Sequence, residues 1–406
     1  MACKTRFMFA ERRTRRVLAA LTITVASVLA ACSGGSDEPE VLLSTTVSGT
    51  LSPGSPAMSA QPSGTPMVTP AACGASELEA MPLRRKLAQL LVVGVTGTAD
   101  ALNVVQTEQV GGVFIGSWTD LSILSDGGVK SVQEAAQTPV MITVDQEGGR
   151  VSRLSSLGID SPSARELAQT QTPEQVRELA KSQGLQMKEL GVTVDYAPVA
   201  DVSDEPADDV IGDRSFSNDP ETVTAYAQAY AQGLKDAGIM PVFKHFPGHG
   251  HGSGDSHTGN VATPPLSEMQ NSDLVPYRTL VGPGVGVMVG HLEVPGLTEP
   301  DTPASISPAA MSLLRDGTGY GAPPFDGPIF TDDLSGMAAI SARYGIEKAA
   351  TLALSAGADL ALWLSTDSVP AVLDTLTAAV EGGELPADQV DASVVRVLRA
   401  KGVLDC

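Results

Sequence analysis

One glycine-rich window holds four of the five histidines in the chain, which makes it the most promising place for chemistry. It runs from Lys244 to His257, and its glycines at 248, 250, 252 and 254 exclude regular helix or strand beyond Phe246. We therefore expect a mobile loop over a binding site, one that can bring a side chain to a reacting centre.

Asp255 and His257 of this window form a candidate catalytic dyad. Two residues apart in extended backbone, their side chains point to one side, so the carboxylate can orient the imidazole and favour its protonated form. A protonated imidazole is a competent general acid near neutral pH. Two alternatives stay open: the histidines are ordinary polar loop groups, or they bind zinc together with a carboxylate. We favour the dyad because a loop so rich in glycine preorganises a metal site poorly.

Asp332 is the matching candidate nucleophile, since it directly follows a short apolar run. Its neighbour Asp333 is the second choice, because the alternation of side chains turns it away. One carboxylate that attacks the anomeric carbon and one proton donor for the departing oxygen make up a retaining glycosidase. The two features together predict glycoside hydrolysis.

Five motifs along the chain then give a specific resemblance. They are Asp145-Gln146-Glu147-Gly148-Gly149-Arg150-Val151-Ser152-Arg153, Ile211-Gly212-Asp213-Arg214-Ser215-Phe216, Lys244-His245-Phe246-Pro247-Gly248, Asp255-Ser256-His257 and Thr331-Asp332-Asp333-Leu334-Ser335. In this order they resemble glycoside hydrolase family 3, and within it the single-domain β-N-acetylhexosaminidase branch of exported lipoproteins. The similarity extends from about residue 82 to residue 364.

The resemblance implies a role for individual residues. Asp332 matches the family's nucleophile, His257 its acid/base and Asp255 the carboxylate that supports the histidine. The residues that match the sugar-binding positions are Asp145, Arg153, Arg214, Lys244 and His245. Such side chains suit sugar hydroxyl and acetamido groups, because carboxylates accept and cationic groups donate hydrogen bonds. The alternative for Arg214 is an ion pair with Asp213, and for Asp145 a loop cap.

Other polar and aromatic residues receive no functional assignment. His291 ends a predicted strand and is expected in the core or behind the site, and we assign no role to His249 or His251. Trp118 and Trp363 could stack on a sugar or simply pack.

Many members of the family carry a second domain that supplies a glutamate acid/base. The chain ends at Cys406 without room for that domain, so we expect the loop histidine to do its work. No cofactor and no metal is implied.

Eight apolar, β-branched runs alternate with helix-like stretches and must position these residues. The runs are 89–95, 112–116, 140–145, 192–199, 240–246, 285–291, 328–332 and 359–364. This pattern predicts a parallel sheet covered by helices, and eight units favour a (β/α)8 TIM-type barrel over an open doubly-wound sheet. Polar residues follow nearly every run, so a barrel would gather them at one mouth.

Helix boundaries are marked in two places. Thr172-Pro173 and Asp219-Pro220 provide a capping side chain followed by a proline in the first helical turn. Gly191 and Gly238 stand where these two helices should end.

Residues 1–31 are typical of an export signal with a cationic start and a short apolar segment. Leu29-Ala30-Ala31-Cys32 matches a bacterial lipobox, so Cys32 is the expected lipidation site and the protein is expected on the outer face of the cell membrane. A plain secretory signal is the alternative. Residues 32–72, rich in Ser, Thr and Pro, predict a flexible tether.

The remaining residues, 73–406, are expected to form the hydrolase domain. Cys73 and Cys406 lie at its two ends, and we expect them to pair, because an oxidising compartment permits the bond and the ends of a domain often lie close together. Two unpaired thiols are the alternative. The net charge of −21 makes nucleic acid and anionic lipid poor partners, so the membrane is expected to be reached through the lipid anchor alone.

The sequence thus predicts a retaining exo-β-N-acetylglucosaminidase that acts on peptidoglycan-derived carbohydrate. The alternatives are a β-glucosidase or a phosphorylase of the same family, a sugar-binding lipoprotein without catalysis, and a metal-dependent barrel hydrolase.

Overall fold

Eight short parallel strands form the frame of the computed structural model, which describes residues 73–406. The export signal, Cys32 and the tether therefore lie outside the described residues. The barrel strands are β1 (Leu91–Gly94), β2 (Gly112–Ile115), β3 (Met141–Val144), β4 (Val194–Asp195), β5 (Met240–Phe246), β6 (Gly286–Val289), β7 (Ile329–Thr331) and β8 (Ala361–Trp363). Each lies within one of the eight runs predicted from the sequence.

The strands are arranged in the order of a closed barrel. Neighbours follow the chain from β1 to β7, and β8 pairs with β1 on its other side. A parallel bridge between Phe330 and Leu360 joins β7 to the start of β8, and the amide of Thr331 donates to the carbonyl of Leu360 at 2.9 Å. The prediction of a (β/α)8 barrel is confirmed, and the open doubly-wound sheet is excluded.

Helices cover the outside of the strands. The α-helices span Ala75–Ala80, Leu83–Ala88, Thr98–Glu108, Ser122–Ser125, Gly128–Ala135, Ala164–Thr170, Pro173–Glu189, Pro220–Ala237, Leu266–Met269, Tyr277–Leu280, Pro308–Asp316, Ala338–Ser341, Ile346–Ala356, Val369–Glu381 and Ala387–Ala400, and 3₁₀ turns span Ser155–Leu157, Gly212–Arg214, Ala304–Ile306 and Thr318–Tyr320. Thr172 and Asp219 cap their helices as predicted, with Thr172 in a reciprocal capping box. Gly238 ends its helix with φ of 79°.

The core is continuous through the wall of the barrel. Almost every strand residue is buried, as expected for a sheet whose outer face is covered by helices. Inside the barrel the ring of Tyr196 lies 5.8 Å from that of Phe114 and 5.4 Å from that of Phe330. This aromatic layer forms the bottom of the cavity at the barrel mouth.

Two small pairings outside the barrel shape the loops at its mouth. Gln146–Gly148 pairs antiparallel with Val151–Ser152, and Val261–Ala262 pairs parallel with Leu292–Glu293. The first pairing follows β3 and the second lies beside the glycine-rich loop after β5.

The ends of the described chain are joined covalently. The sulfur atoms of Cys73 and Cys406 are bonded, and the Cα atoms lie 6.0 Å apart. Among residues 73–406, no helix combines the length and apolar character needed to cross a membrane.

Candidate active site

The carboxyl ends of the barrel strands surround a cavity of about 220 Å³. Seven of the eight side chains predicted to act at the site line it: Asp145, Arg153, Arg214, Lys244, His245, His257 and Asp332. The eighth, Asp255, contacts His257 from outside the cavity. The volume is below the range of about 300–1,000 Å³ that is usual for ligand pockets. The cavity therefore suits a small ligand or one terminal unit of a larger ligand.

Lys244 is buried and lies at the centre of a cluster of charged side chains at the cavity wall. Its ammonium is 2.7 Å from a carboxylate oxygen of Asp145 and 2.6 Å from one of Glu147. Arg153 approaches the other oxygen of Asp145 at 3.6 Å. Asp145 is therefore not a loop cap, because its carboxylate is shared between two cations at the cavity wall.

Glu147 belongs to this cluster and received no assignment from the sequence. It forms two hydrogen bonds of 2.8 Å with the guanidinium of Arg214 and is buried. Burial alone would raise the pKa of Glu147, but the charges of Arg214 and Lys244 outweigh it and hold the pKa far below its usual value. The expected alternative, an ion pair between Arg214 and Asp213, is wrong, because Asp213 pairs with Arg150 at 2.9 Å.

Asp201 is a second residue that was not assigned. Its buried carboxylate accepts hydrogen bonds from Nδ1 of His245 at 2.7 Å and from the amides of His245 and His249. Despite burial, the nearby His245 lowers the pKa of Asp201 to about 2. The carboxylate fixes the ring of His245, whose Nε2 lies 3.5 Å from Nη2 of Arg214.

Asp332 and Asp333 have different surroundings at the end of β7. The carboxylate of Asp333 accepts hydrogen bonds from the amides of Ser335 and Gly336 and from the hydroxyl of Ser335, all at 2.8 Å. The carboxylate of Asp332 accepts one hydrogen bond, at 2.9 Å, from the amide of Asp333. Asp333 thus caps a turn, and Asp332 keeps its acceptor capacity for the cavity.

The environment of Asp332 favours the ionised form. Burial alone would raise its pKa, but His245, His291, the amide of Asp333 and Lys244 outweigh that effect, and the pKa is lowered. A nucleophilic carboxylate must be ionised to attack, so this shift suits the role implied by the resemblance.

His291 holds the backbone behind this carboxylate. Its Nε2 lies 2.8 Å from the carbonyl oxygen of Asp333, and its Nδ1 lies 2.6 Å from the hydroxyl of Ser305. Burial lowers the pKa of His291, and because a carbonyl oxygen can only accept, Nε2 is the donor of the bond to Asp333. Its position behind the site agrees with the expectation from the sequence.

The dyad of Asp255 and His257 is assembled in the loop. Nδ1 of His257 lies 2.8 Å from Oδ1 of Asp255, which also accepts from the amide of His257 at 2.9 Å. Although burial opposes the change, these contacts lower the pKa of Asp255. Because Nδ1 is engaged, Nε2 is the nitrogen left to exchange a proton with a ligand.

The loop from 247 to 259 contains neither helix nor strand, as its glycines predict. It is nevertheless attached to its surroundings. The amide of Ala339 donates to the carbonyl of Ser256 at 3.0 Å and the amide of Ala338 to that of His257 at 3.4 Å. Its base is held by a hydrogen bond of 2.9 Å from the amide of Ser253 to the carbonyl of Ala262.

The other loop histidines have partners of their own, and His249 also lines the cavity, with its Nε2 3.5 Å from the hydroxyl of Ser256. His249 is buried edge-on against His245, with ring centroids 5.7 Å apart. Nδ1 of His251 lies 2.9 Å from the buried carboxylate of Asp273. Of the two tryptophans, Trp363 is buried in the core, whereas Trp118 lies exposed at the rim of the cavity. Within residues 73–406 no three histidine, cysteine or acidic side chains converge as a metal ion requires.

Comparison with known proteins places these features in one family. Residues 82–400 match the pattern of the "Glycosyl hydrolase family 3 N terminal domain". The chain is 57% identical to the β-hexosaminidase LpqI of Mycobacterium tuberculosis, over 95% of this chain and 97% of that protein.

Solved structures agree with this assignment. The structure of M. tuberculosis LpqI has 61% sequence identity and a TM-score of 0.80, covering 81% of this chain and 97% of that chain. A family 3 β-N-acetylglucosaminidase from Paenibacillus has 32% identity and a TM-score of 0.73, covering 80% of this chain and 63% of that one. The arrangement of charges at the barrel mouth is thus that of a glycosidase, and the chain belongs to glycosyl hydrolase family 3.

Proposed function

We propose that the protein is a retaining exo-β-N-acetylglucosaminidase in which Asp332 is the nucleophile and His257 the acid/base. The observation that carries the proposal is the meeting of these two side chains in one small cavity, although they come from loops after different strands. Asp332 keeps free acceptor capacity toward the cavity, and His257 has an oriented ring with an available Nε2.

The reaction proceeds in two displacements. In the first, an oxygen of Asp332 attacks the anomeric carbon while Nε2–H of His257 gives its proton to the departing glycosidic oxygen. The bond to the leaving group breaks as the glycosyl ester of Asp332 forms. In the second, neutral His257 takes a proton from water, the hydroxyl oxygen bonds to the same carbon, and Asp332 leaves as a carboxylate. The two inversions give retention of configuration.

The charge cluster binds the terminal sugar. Asp145 accepts hydrogen bonds from sugar hydroxyls, and Lys244, Arg153 and Arg214 donate to hydroxyl or acetamido oxygens. Because these cations are already paired with Asp145 and Glu147, they are held in place before the substrate arrives. Such preorganisation reduces the cost of positioning the sugar.

The substrate assignment draws on the related proteins. Names of relatives specify β-hexosaminidase and β-N-acetylglucosaminidase activity, which supports terminal N-acetylglucosamine here. We infer peptidoglycan-derived fragments as its source, because the lipobox at Cys32 indicates an enzyme anchored on the outer face of the membrane.

One assay tests substrate and mechanism together. An aryl N-acetyl-β-glucosaminide and the matching aryl β-glucoside are compared with the wild type and with His257→Ala. We expect the wild type to prefer the acetamido substrate and the variant to lose most of its activity. A fluorinated N-acetylglucosamine analogue should label Asp332. Preference for the glucoside would contradict the substrate class, and full activity of Asp332→Ala would contradict the nucleophile.

The anchor is tested separately by fractionation. The wild type is expected in the membrane fraction and Cys32→Ala in the soluble exported fraction. A variant that stayed bound to the membrane would contradict lipidation at Cys32.

A further inference from the structure

A second cavity of about 390 Å³ opens at the barrel mouth beside the first. The two cavities share Trp118 and Leu364, which therefore form the ridge between them. The second cavity lies over the ends of β1 and β8, at the same end of the barrel as Asp332. A ligand longer than one sugar could cross this ridge without leaving the surface of the enzyme.

Trp118 is a fixed aromatic surface on this ridge. It is 42% exposed, and its ring is supported by Phe114, with centroids 6.0 Å apart. Gly116 lies directly against the ring, because a Cβ there would be 2.3 Å from it. The turn is fastened by Thr119, whose hydroxyl accepts from the amide of Gly116 and donates to the carbonyl of Val95. An exposed ring held in this way offers an apolar face at little entropic cost.

The walls of the second cavity carry groups suited to sugar hydroxyls. Asp100 accepts hydrogen bonds from the amide of Thr96 at 2.8 Å and from the hydroxyl of Thr366 at 2.7 Å, which ties the two walls together. The hydroxyl oxygen of Ser365 accepts from the amide of Asp367 at 3.1 Å, so its proton remains available for donation. Asp367 itself is exposed at the edge.

The charged residues that line the second cavity are all negative. Both of its ionisable lining residues, Asp100 and Asp367, are acidic, and neither lysine nor arginine lines it. The first cavity, in contrast, contains Lys244, Arg153 and Arg214 beside its carboxylates. A ligand with a free carboxylate would meet like charge in the second cavity and find no cation there to offset it.

We propose that the second cavity binds the sugar on the leaving-group side of the cleaved bond and favours a neutral sugar over one that bears a free carboxylate. This inference rests on the proposed function, because it assigns the neighbour of the terminal N-acetylglucosamine. Among cell-wall fragments, it favours a leaving sugar whose acidic side group is absent or bound in an amide over the same sugar as a free acid.

The first experiment separates the two cavities with Trp118→Ala. N-acetyl-β-glucosaminyl fluoride has no leaving sugar, whereas the neutral β-1,4-linked disaccharide of N-acetylglucosamine has one. Loss of the aromatic surface is expected to lower kcat/KM for the disaccharide about tenfold more than for the fluoride. An equal loss on both substrates would overturn the assignment, since Trp118 would then act only on the first cavity.

The second experiment tests the charge preference with Asp367→Asn. The substrates are the neutral disaccharide and a disaccharide whose leaving sugar carries a free lactyl carboxylate. The wild type is expected to prefer the neutral one, and the variant to improve kcat/KM for the acidic one about two- to threefold at low salt. The improvement should shrink as salt is added.

Asp316→Asn is the matched control, because it removes the same charge from an exposed residue at the end of the helix that precedes β7, on the opposite face of the barrel. Equal rates of the wild type on the two disaccharides, or an identical gain in both variants, would overturn the charge preference. Failure of the wild type to cleave even the fluoride would instead contradict the proposed function.

Discussion

Glu147 and Arg214 form two parallel hydrogen bonds of 2.8 Å, although 67 positions separate them in the chain. The pair fastens the hairpin after β3 to the 3₁₀ turn that contains Arg214. Lys244 joins from the end of β5 with a contact of 2.6 Å to Glu147. Glu147, which the sequence did not point to, thus holds Arg214 and Lys244, two cations that were expected at the site.

Replacement of Glu147 by alanine is expected to destabilise the protein by about 3 kcal/mol, because Arg214 loses its carboxylate partner and the buried Lys244 keeps only Asp145. Urea unfolding measures the change, and Glu178→Ala, on an exposed helix position, is the control. The isosteric Glu147→Gln should retain the fold yet lower kcat/KM. A variant as stable as the control would show that Arg214 and Lys244 do not depend on Glu147.

His257→Ala is expected to lower kcat/KM for the disaccharide by about 10²–10⁴, the usual range for a general acid. The loss should be smaller for an aryl glycoside with an acidic phenol, since that leaving group departs without a proton. Asp255→Asn should cause a smaller loss with the same dependence on the leaving group. A series of aryl leaving groups provides the measurement, and a loss that is independent of phenol acidity would contradict proton donation.

The contact between His251 of the glycine-rich loop and Asp273 is expected to weaken as the pH rises. The hydrogen bond to Asp273 raises the pKa of His251, with smaller contributions from Asp204 and Asp201. A group whose pKa is raised by folding stabilises the fold fully below its ordinary value, near 6.5, and the contribution is lost as pH rises through the raised value. Hydrogen exchange of residues 247–259 should therefore speed up from pH 6 to pH 8.5 beyond the intrinsic increase.

Asp273→Asn should remove most of this pH dependence, whereas Asp204→Asn, at an exposed position, should change it little. Protection that depends on pH equally in the wild type and in Asp273→Asn would rule out His251 as the cause.

The bond between Cys73 and Cys406 closes a loop of 333 residues. Its removal by Cys73→Ser and Cys406→Ser together should lower the free energy of unfolding by about 2–5 kcal/mol. Pairing of the two cysteines in the purified protein stays a prediction, which mass spectrometry of the unreduced protein checks. Two thiols that react with an alkylating agent before reduction would contradict it.

Much of the fold follows from local sequence. Each apolar run holds one barrel strand, because a strand buried on both faces reads as continuous hydrophobic sequence. The strand ends also locate the site, since parallel strands deliver their following residues to one mouth. The run from 192 to 199 contributes only two strand residues and one bridge, a length that depends on its neighbours and not on its own residues.

Which charged residues pair with each other could not be predicted from the sequence. Asp213 is next to Arg214 in the sequence, yet it forms its ion pair with Arg150. Arg214 pairs with Glu147 instead. Glu147 lies within a motif that carried the resemblance, so its importance was open to notice, but its partner is set by tertiary packing. The same is true of Asp201, which follows the fourth run and holds His245 from behind.

The hydrogen bonds from Ala338 and Ala339 to the glycine-rich loop have a mechanical consequence. The two donors begin a short helix six residues after Asp332, and the two acceptors are the carbonyls of His257 and its neighbour. The backbone of His257, the proposed proton donor, is thus bonded to the segment that follows Asp332, the proposed nucleophile. A displacement of either backbone segment would therefore have to break these two hydrogen bonds or carry the other segment with it.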